Sequence, residues 1–180
     1  MLFNQCDGSG RGSWGGFPGR LAAAGFHVLT FDSRGVGESG RGRETPTAID
    51  GDNEAAYSWL AWQKDVDKQR MAAGGASCGV ARATNLAVAH PQIKALVLLS
   101  GRVPPPAMRH LASAPTVAVF GVSATGDMGA GDVEDAAHAS RHPQSTAKHY
   151  PAGGAHGVAM FARDPDLRPA IVQWLRGVMK

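Results

Sequence analysis

Cysteine is scarce: two residues, Cys6 and Cys78, stand in a chain of 180. They are too few and too far apart for a disulfide framework or a Cys-x-x-Cys metal site, so a reducing, cytoplasmic setting is the default expectation. No apolar stretch approaches the roughly 18 residues of a transmembrane helix, and the N-terminus shows no basic region followed by an apolar run and a cleavage site. Lysine and arginine are scattered, neither gathered into a run nor interleaved with aromatics. The formal charge of +3 therefore indicates no nucleic-acid face, and no membrane partner is expected. Internal repeats and low-complexity segments are missing too, which excludes repeat arrays and linker-like chains.

What is abundant is alanine and glycine, with valine and leucine in short blocks, a composition that suits helices packed closely on a sheet. At this length one domain, spanning 1–180, is expected, able to bury roughly 70% of the surface of the unfolded chain. Apolar runs at 27–32, 94–100 and 116–121 have the look of buried parallel strands. Weaker candidates lie at 1–5, 70–76 and 146–150, the second so rich in alanine and glycine that only its neighbours argue for it. Helical patterns fall between them: 17–24 closed by Gly25, 53–64 opened by Asp52 or Asn53, and 78–90 stopped by Pro91. A final helix has Asp164 as cap, Pro165 in its first turn, and Leu167, Ile171, Trp174, Leu175 and Val178 along one face. Strand and helix alternate, which predicts an α/β architecture with a mostly parallel sheet covered on both faces. Because Met1-Leu2-Phe3-Asn4-Gln5 already reads as the end of a buried strand, a natural start further upstream is expected.

Chemistry in such a fold sits at strand ends, and Ser77 occupies one. It stands in Gly75-Ala76-Ser77-Cys78-Gly79, after a predicted strand and at the opening of a predicted helix. Small residues at 75 and 79 let strand and helix approach while the serine takes a strained backbone conformation that exposes its hydroxyl. The N–H of Cys78, first in the helix, then points to where an oxyanion would form. A glycine-rich loop without chemistry would show the same five residues, but not the strand before and the helix after. Cys78 as nucleophile would put Ala76 and Val80 where glycines are wanted.

A serine nucleophile needs a base and an acid to orient it. Of seven histidines, His156 lies in Gly153-Gly154-Ala155-His156-Gly157, a loop between the last strand and the last helix. His90, His138 and His142 sit in or at the ends of helices, and His149 sits in a strand. The acid is expected after the strand at 116–121, where Asp127, Asp132, Glu134 and Asp135 follow. Asp132 caps a helix that contains Glu134 and Asp135, whereas Asp127 stands in the loop with no cap to make. Asp127 is the first choice and Asp132 the alternative.

These residues resemble the α/β-hydrolase family over nearly the whole chain. Leu21 to Leu29 followed by Asp32-Ser33-Arg34-Gly35-Val36-Gly37-Glu38-Ser39 looks like the family's helix, strand and Asp-x-Arg-Gly-x-Gly-x-Ser turn, and His156-Gly157 before a helix carrying Trp174-Leu175 looks like its ending. Gly35, Gly37 and Gly40 also spell a dinucleotide fingerprint, but polar residues and Pro46 follow and no helix starts there, so the turn is expected to be structural and no cofactor or metal is expected. The resemblance implies an esterase-like or dienelactone-hydrolase-like enzyme with Ser77, His156 and Asp127 as its triad. The family's His-Gly is replaced by Asn4-Gln5, which makes the N–H of Cys6 the second oxyanion donor and sets Cys6 facing Cys78 across the site, within reach of oxidation. It further implies about six strands in the order 2-1-3-4-5-6, lacking the family's first two, with 27–32 an exposed edge on which a second copy could pair. The segment 101–115 is too short for a lid, so an open site and a small acyl substrate are expected. The competing expectation is a non-catalytic or truncated hydrolase-like scaffold.

Overall fold

The computed structural model describes residues 1–40, 42, 45–151 and 155–180; Gly153 and Gly154 of the histidine loop and Arg41, Arg43 and Glu44 of the polar loop lie outside them. Five parallel strands form one sheet in sequential order: β1 (Leu2–Phe3), β2 (Met71–Ala76), β3 (Ile93–Leu99), β4 (Ala118–Ala124) and β5 (Thr146–Tyr150). Each crossover from β2 onward carries a helix: α3 (Cys78–Ala89), α4 (Pro105–Ser113) and α5 (Ala130–Ala139). Ahead of β2 come a short 3-10 turn (Gly10–Trp14), α1 (Phe17–Ala23) and α2 (Pro46–Ala61). After β5 come a second 3-10 turn (Gly157–Ala159), α6 (Met160–Arg163) and α7 (Leu167–Val178).

β2, β3 and β4 are almost wholly apolar because the middle of the sheet is buried on both faces, whereas β5, at the edge, is polar and half-exposed. Along β3, Leu96 and Leu98 join Tyr57, Val80, Leu111 and Val133 in a core beneath α2 to α5. The alternate residues Ala95, Val97 and Leu99 join Trp14, Phe17, Phe161, Leu167 and Ile171 beneath α1, α6 and α7. The two-residue period of a strand thus feeds two separate layers. Within the second, Trp14, Phe17 and Phe161 form an aromatic cluster with ring centroids 5.0–6.1 Å apart.

Several boundaries differ from the sequence expectation. The expected sixth strand at 27–32 contributes a single bridge, Thr30 to Leu2, with Leu2 N donating to Leu29 O at 2.9 Å. A two-residue β1 has too little backbone for a longer ladder, and Asn4 Nδ2 takes the carbonyl of Phe31 at 2.6 Å. The sheet is therefore five-stranded, in the order β1-β2-β3-β4-β5. Helix α2 opens at Pro46, with the Thr45 hydroxyl accepting from Ala48 N, several residues before Asp52. The final helix opens at Leu167, and Asp164 does other work. Its Oδ2 accepts from Lys148 Nζ and Tyr150 Oη, both at 2.5 Å, tying the segment before α7 to β5. Lys148 first, then Tyr150, hold its carboxyl at about 2, well below the usual range.

The Asp32–Ser39 block is a closed structural turn. Asp32 accepts from the backbone N–H of Arg11 at 2.7 Å and of Glu38 at 3.2 Å, bonds that hold its carboxyl below the ordinary range, Arg11 first. Ser39 Oγ returns to Asp32 O at 2.6 Å, and Arg34 reaches α2 through paired bonds of 2.5 and 2.6 Å to Asp52. The turn closes on itself, Gly35 N to Gly40 O, and the next helix begins only at Pro46.

Candidate active site

β2 delivers its last residue, Ala76, into the core, and the chain then turns sharply into α3. Ser77 is the residue of that turn, with φ 54° and ψ −119°, one of only two non-glycine residues with positive φ among those described. Such a conformation costs of order 1–3 kcal/mol and persists only where surrounding contacts impose it. Here they are explicit: Ser77 N donates to Leu99 O at 3.0 Å, and Ser77 O accepts from Val80 N at 3.1 Å. Strand and helix meet so closely that a β-carbon at Gly75 would lie 2.1 Å from Gly79 O, and one at Gly79 would lie 2.4 Å from Phe3 O. The small residues flanking Ser77 are thus required by the approach of α3 to β1 and β2.

Two further segments converge on the turn. Gly101, after β3, lies against Ser77 O and Val80, and Gly129 in turn lies against Gly101, which brings the loop between β4 and α5 alongside. From the other side Gly157 packs on Ala76 and on the side chain of Gln5, so the residue after His156 touches the residue before Ser77. His156 Nδ1 and Asp127 Oδ1 are 2.5 Å apart. The Asp127 side chain is 2% exposed and that of His156 40%, so the contact joins a buried carboxylate to a partly exposed ring. β4 continues through Ala124, three residues past the expected end, so Asp127 follows its strand closely. Asp132 lies within α5, its Oδ2 accepting from Val103 N at 3.0 Å, a bond that fastens the segment after β3. The structure thus brings Ser77, His156 and Asp127 into one region at the C-terminal ends of the strands and gives His156 to Asp127, not to Asp132.

Cys6 and Cys78 are joined by a disulfide, with Cα atoms 5.8 Å apart. The expectation that they face each other is met, whereas the reading of two thiols kept reduced, based on their number and their distance along the chain, is overturned for this pair because the fold sets the end of β1 beside the start of α3. Cys78 is the first residue of α3, and Cys6 follows β1 on an exposed loop. Gln5 Oε1 accepts from Val158 N at 3.2 Å and so links that loop to the histidine segment, a role no sequence signal announced. A cavity of about 150 Å³ opens beside Cys6, bounded by Asn4, Gln5, Ser33, Arg34 and Arg82. A larger one, about 360 Å³, lies at the opposite end of the strands between Met1, Phe17, Phe26, Met71 and Met179, away from Ser77.

Other histidines have different work. His149 binds Glu134 through Nδ1 at 2.7 Å and Thr125 through Nε2 at 3.0 Å, closing β5 onto α5 and the end of β4. Ser123, then His149, hold the Glu134 carboxyl below its usual range. His90 stacks on Tyr57 with centroids 3.9 Å apart. Among the described residues, no three His, Cys, Asp or Glu side chains are grouped as metal ligands.

A parallel sheet sheathed by helices, with a positive-φ serine on the turn from β2 into α3, defines a class of α/β proteins. The chain matches the alpha/beta hydrolase fold family over residues 2–168, and it belongs to that family. An esterase of Pyrococcus furiosus has a similar structure (TM-score 0.76, 17% identity, covering 99% of this chain and 81% of that one). So do an enol-lactonase of Burkholderia xenovorans (0.68, 17%, 97% and 90%) and a monoacylglycerol lipase of Paleococcus ferrophilus (0.70, 14%, 98% and 93%). At these identities the likeness is one of fold. An uncharacterized protein of Mycobacterium tuberculosis is 45% identical over 80 residues, which are 44% of this chain and 28% of that protein. One of Escherichia coli is 34% identical over 83 residues, 45% and 29%. The matched part thus spans under a third of the length of either curated relative. No helix among the described residues is long and apolar enough to cross a membrane.

Proposed function

We propose that the protein is a serine hydrolase acting on an ester or related acyl bond of a small-molecule substrate through Ser77, His156 and Asp127. The observation that carries this is the 2.5 Å contact between His156 Nδ1 and the buried Asp127 side chain, together with a serine held at φ 54° on a strand-to-helix turn whose preceding residue, Ala76, lies beside Gly157. In this mechanism Ser77 Oγ attacks the acyl carbon as its proton passes to His156 Nε2. The same proton then goes to the leaving alkoxide, and the alcohol departs. Water, deprotonated by His156, attacks the acyl-enzyme and releases the acid as the proton returns to Ser77. Asp127 keeps the imidazole in the tautomer that presents Nε2 as a base and stabilises the imidazolium between proton transfers. The backbone N–H groups of Cys78 and Cys6 hold the negative oxygen of the tetrahedral intermediates, each such donor contributing roughly 2.7–4 kcal/mol to transition-state stabilisation.

The test is labelling by a fluorophosphonate probe with peptide mapping of the adduct, together with hydrolysis of p-nitrophenyl esters of increasing chain length. Labelling at Ser77, lost in Ser77→Ala, and turnover favouring short acyl groups are expected. A folded protein that neither labels at Ser77 nor turns over any ester is instead the non-catalytic scaffold.

A further inference from the structure

The disulfide joins the two residues whose backbone amides make up the oxyanion hole in the proposed mechanism. Their tethers differ. Cys78 is built into a helix of twelve residues packed on β1 and β2, so its amide is fixed by the fold. Cys6 lies beyond the two-residue β1, in an exposed segment: the residues before it are held by Asn4 Nδ2 to Phe31 O at 2.6 Å and Val158 N to Gln5 Oε1 at 3.2 Å, and after it the bonds are short-range, Asp7 Oδ1 accepting from Ser9 N at 2.9 Å. What ties Cys6 to the helix is its sulfur, bonded to Cys78 Sγ and 3.6 Å from Nη2 of Arg82 on α3.

The surroundings of both sulfurs favour the reduced pair. Cys78 Sγ sits at the N-terminus of α3, where the helix dipole stabilises a thiolate, and the Arg82 guanidinium does the same for Cys6. Disulfides whose reduced thiolates are stabilised are the more oxidising and labile ones, and the exposure of Cys6 gives a reductant access.

We propose that the Cys6–Cys78 disulfide is the positioning element of the oxyanion hole, and that its reduction by a dithiol switches the hydrolase off; this rests on the reading of Ser77 as nucleophile. In the reaction a thiolate of the reductant attacks Cys6 Sγ and the S–S bond breaks, with Cys78 leaving as the thiolate. The reductant's second thiolate then attacks the mixed disulfide and releases Cys6. Two electrons pass from the dithiol, which ends as its own disulfide, to the protein, which ends with two thiols. The Cys6 amide then loses its register with that of Cys78. Because oxyanion donors act on the transition state, kcat falls while KM changes little.

The experiment uses the whole oxidised chain equilibrated in dithiothreitol redox buffers of graded potential. Free thiols are counted with a chromogenic disulfide, p-nitrophenyl acetate turnover is followed, and the rate of Ser77 labelling by a fluorophosphonate is measured. As two thiols appear, kcat and the labelling rate fall about 100-fold, KM stays within about threefold, and reoxidation restores activity. Cys6→Ser has the reduced-state rate with or without reductant. Should that variant fold poorly, the wild-type titration stands alone, with the melting curve of each redox state reporting folding separately. Two thiols appearing with no change in turnover or labelling overturns the proposal and leaves the hydrolase reading intact. So does an air-oxidised chain that turns over ester with both thiols free. Absence of both turnover and labelling in either redox state overturns the two readings together.

Discussion

The contact between Asp127 and His156 yields the sharpest prediction, because its effects on activity and on stability run in opposite directions. Asp127→Asn preserves the shape of the side chain and removes its charge. In a triad the equivalent change leaves the geometry in place but loses the tautomer control and the imidazolium stabilisation, for a fall in kcat of about 10⁴. At 1.36 kcal/mol per decade that is about 5.4 kcal/mol of transition-state stabilisation. The cost to folding is small, since the Asp127 side chain is 2% exposed and its Oδ2 lacks a hydrogen-bond partner among the described residues. A buried carboxylate oxygen left without a partner carries a desolvation penalty of about 1–3 kcal/mol, which the neutral amide reduces. The variant is therefore expected to melt at or above the wild-type temperature while kcat for p-nitrophenyl acetate drops about 10³- to 10⁴-fold. Asp132→Asn, which touches Val103 N and not His156, keeps kcat within about threefold at a cost of about 1 kcal/mol in stability. If Asp127→Asn retained more than about a tenth of wild-type kcat, the acid would have been wrongly assigned, and equal losses in the two variants would point to stability as their common cause.

Three further outcomes follow from the packing. Gly75→Ala puts a β-carbon 2.1 Å from Gly79 O, a backbone atom that cannot swing aside, so urea unfolding should register a loss of about 3 kcal/mol or more. Trp14→Ala empties the centre of the aromatic cluster with Phe17 and Phe161 and should cost about 3–5 kcal/mol by the same measurement, with any loss of ester turnover following the fraction unfolded. Asp164, held at about 2 chiefly by Lys148, contributes stability that is complete above its unfolded value near 3.8 and disappears as pH falls toward 2. The full shift corresponds to about 2.4 kcal/mol, and screening at the half-exposed Lys148 reduces it to about 1 kcal/mol. Asp164→Asn should thus lower stability at pH 7 by about that amount and match wild type near pH 2; an equal gap at both pH values would refute the electrostatic origin.

Where sequence reading succeeded, the determinant was local. Two of the apolar runs, expected at 94–100 and 116–121, are buried strands at 93–99 and 118–124, because a backbone that continuously apolar has to be covered on both faces, and the weaker candidate at 146–150 is the half-exposed β5. The strand at 71–76, Met-Ala-Ala-Gly-Gly-Ala, has no propensity of its own and was legible only through the serine turn and helix that follow. Where it failed, a distant partner intervened. The run at 27–32 looks like a strand as good as the others, yet its neighbour β1 offers two residues to pair with. Asp164 followed by proline looks like a helix cap, but its Oδ2 goes to Lys148 and Tyr150, its Oδ1 accepts from Asp166 N at 2.9 Å, and the helix opens only at Leu167. The helix Pro105–Ser113 opens on the last two of three consecutive prolines and was not anticipated; Ala107 and Leu111, which it buries, are what define it.

Ser77, with glycines two residues to either side, could be chosen from the sequence alone, because a strained strand-to-helix turn restricts residue type within five consecutive positions. His156 and Asp127 could be nominated by loop and order. Tertiary structure alone decided that these two lie 2.5 Å apart while Asp132 turns to Val103, that β4 runs far enough to bring Asp127 close to its strand, and that Cys6 and Cys78, expected to face each other, are bonded. Each of those distances is set by how α3, α5 and the histidine loop pack against one sheet, and a spacing along the chain carries no record of that packing.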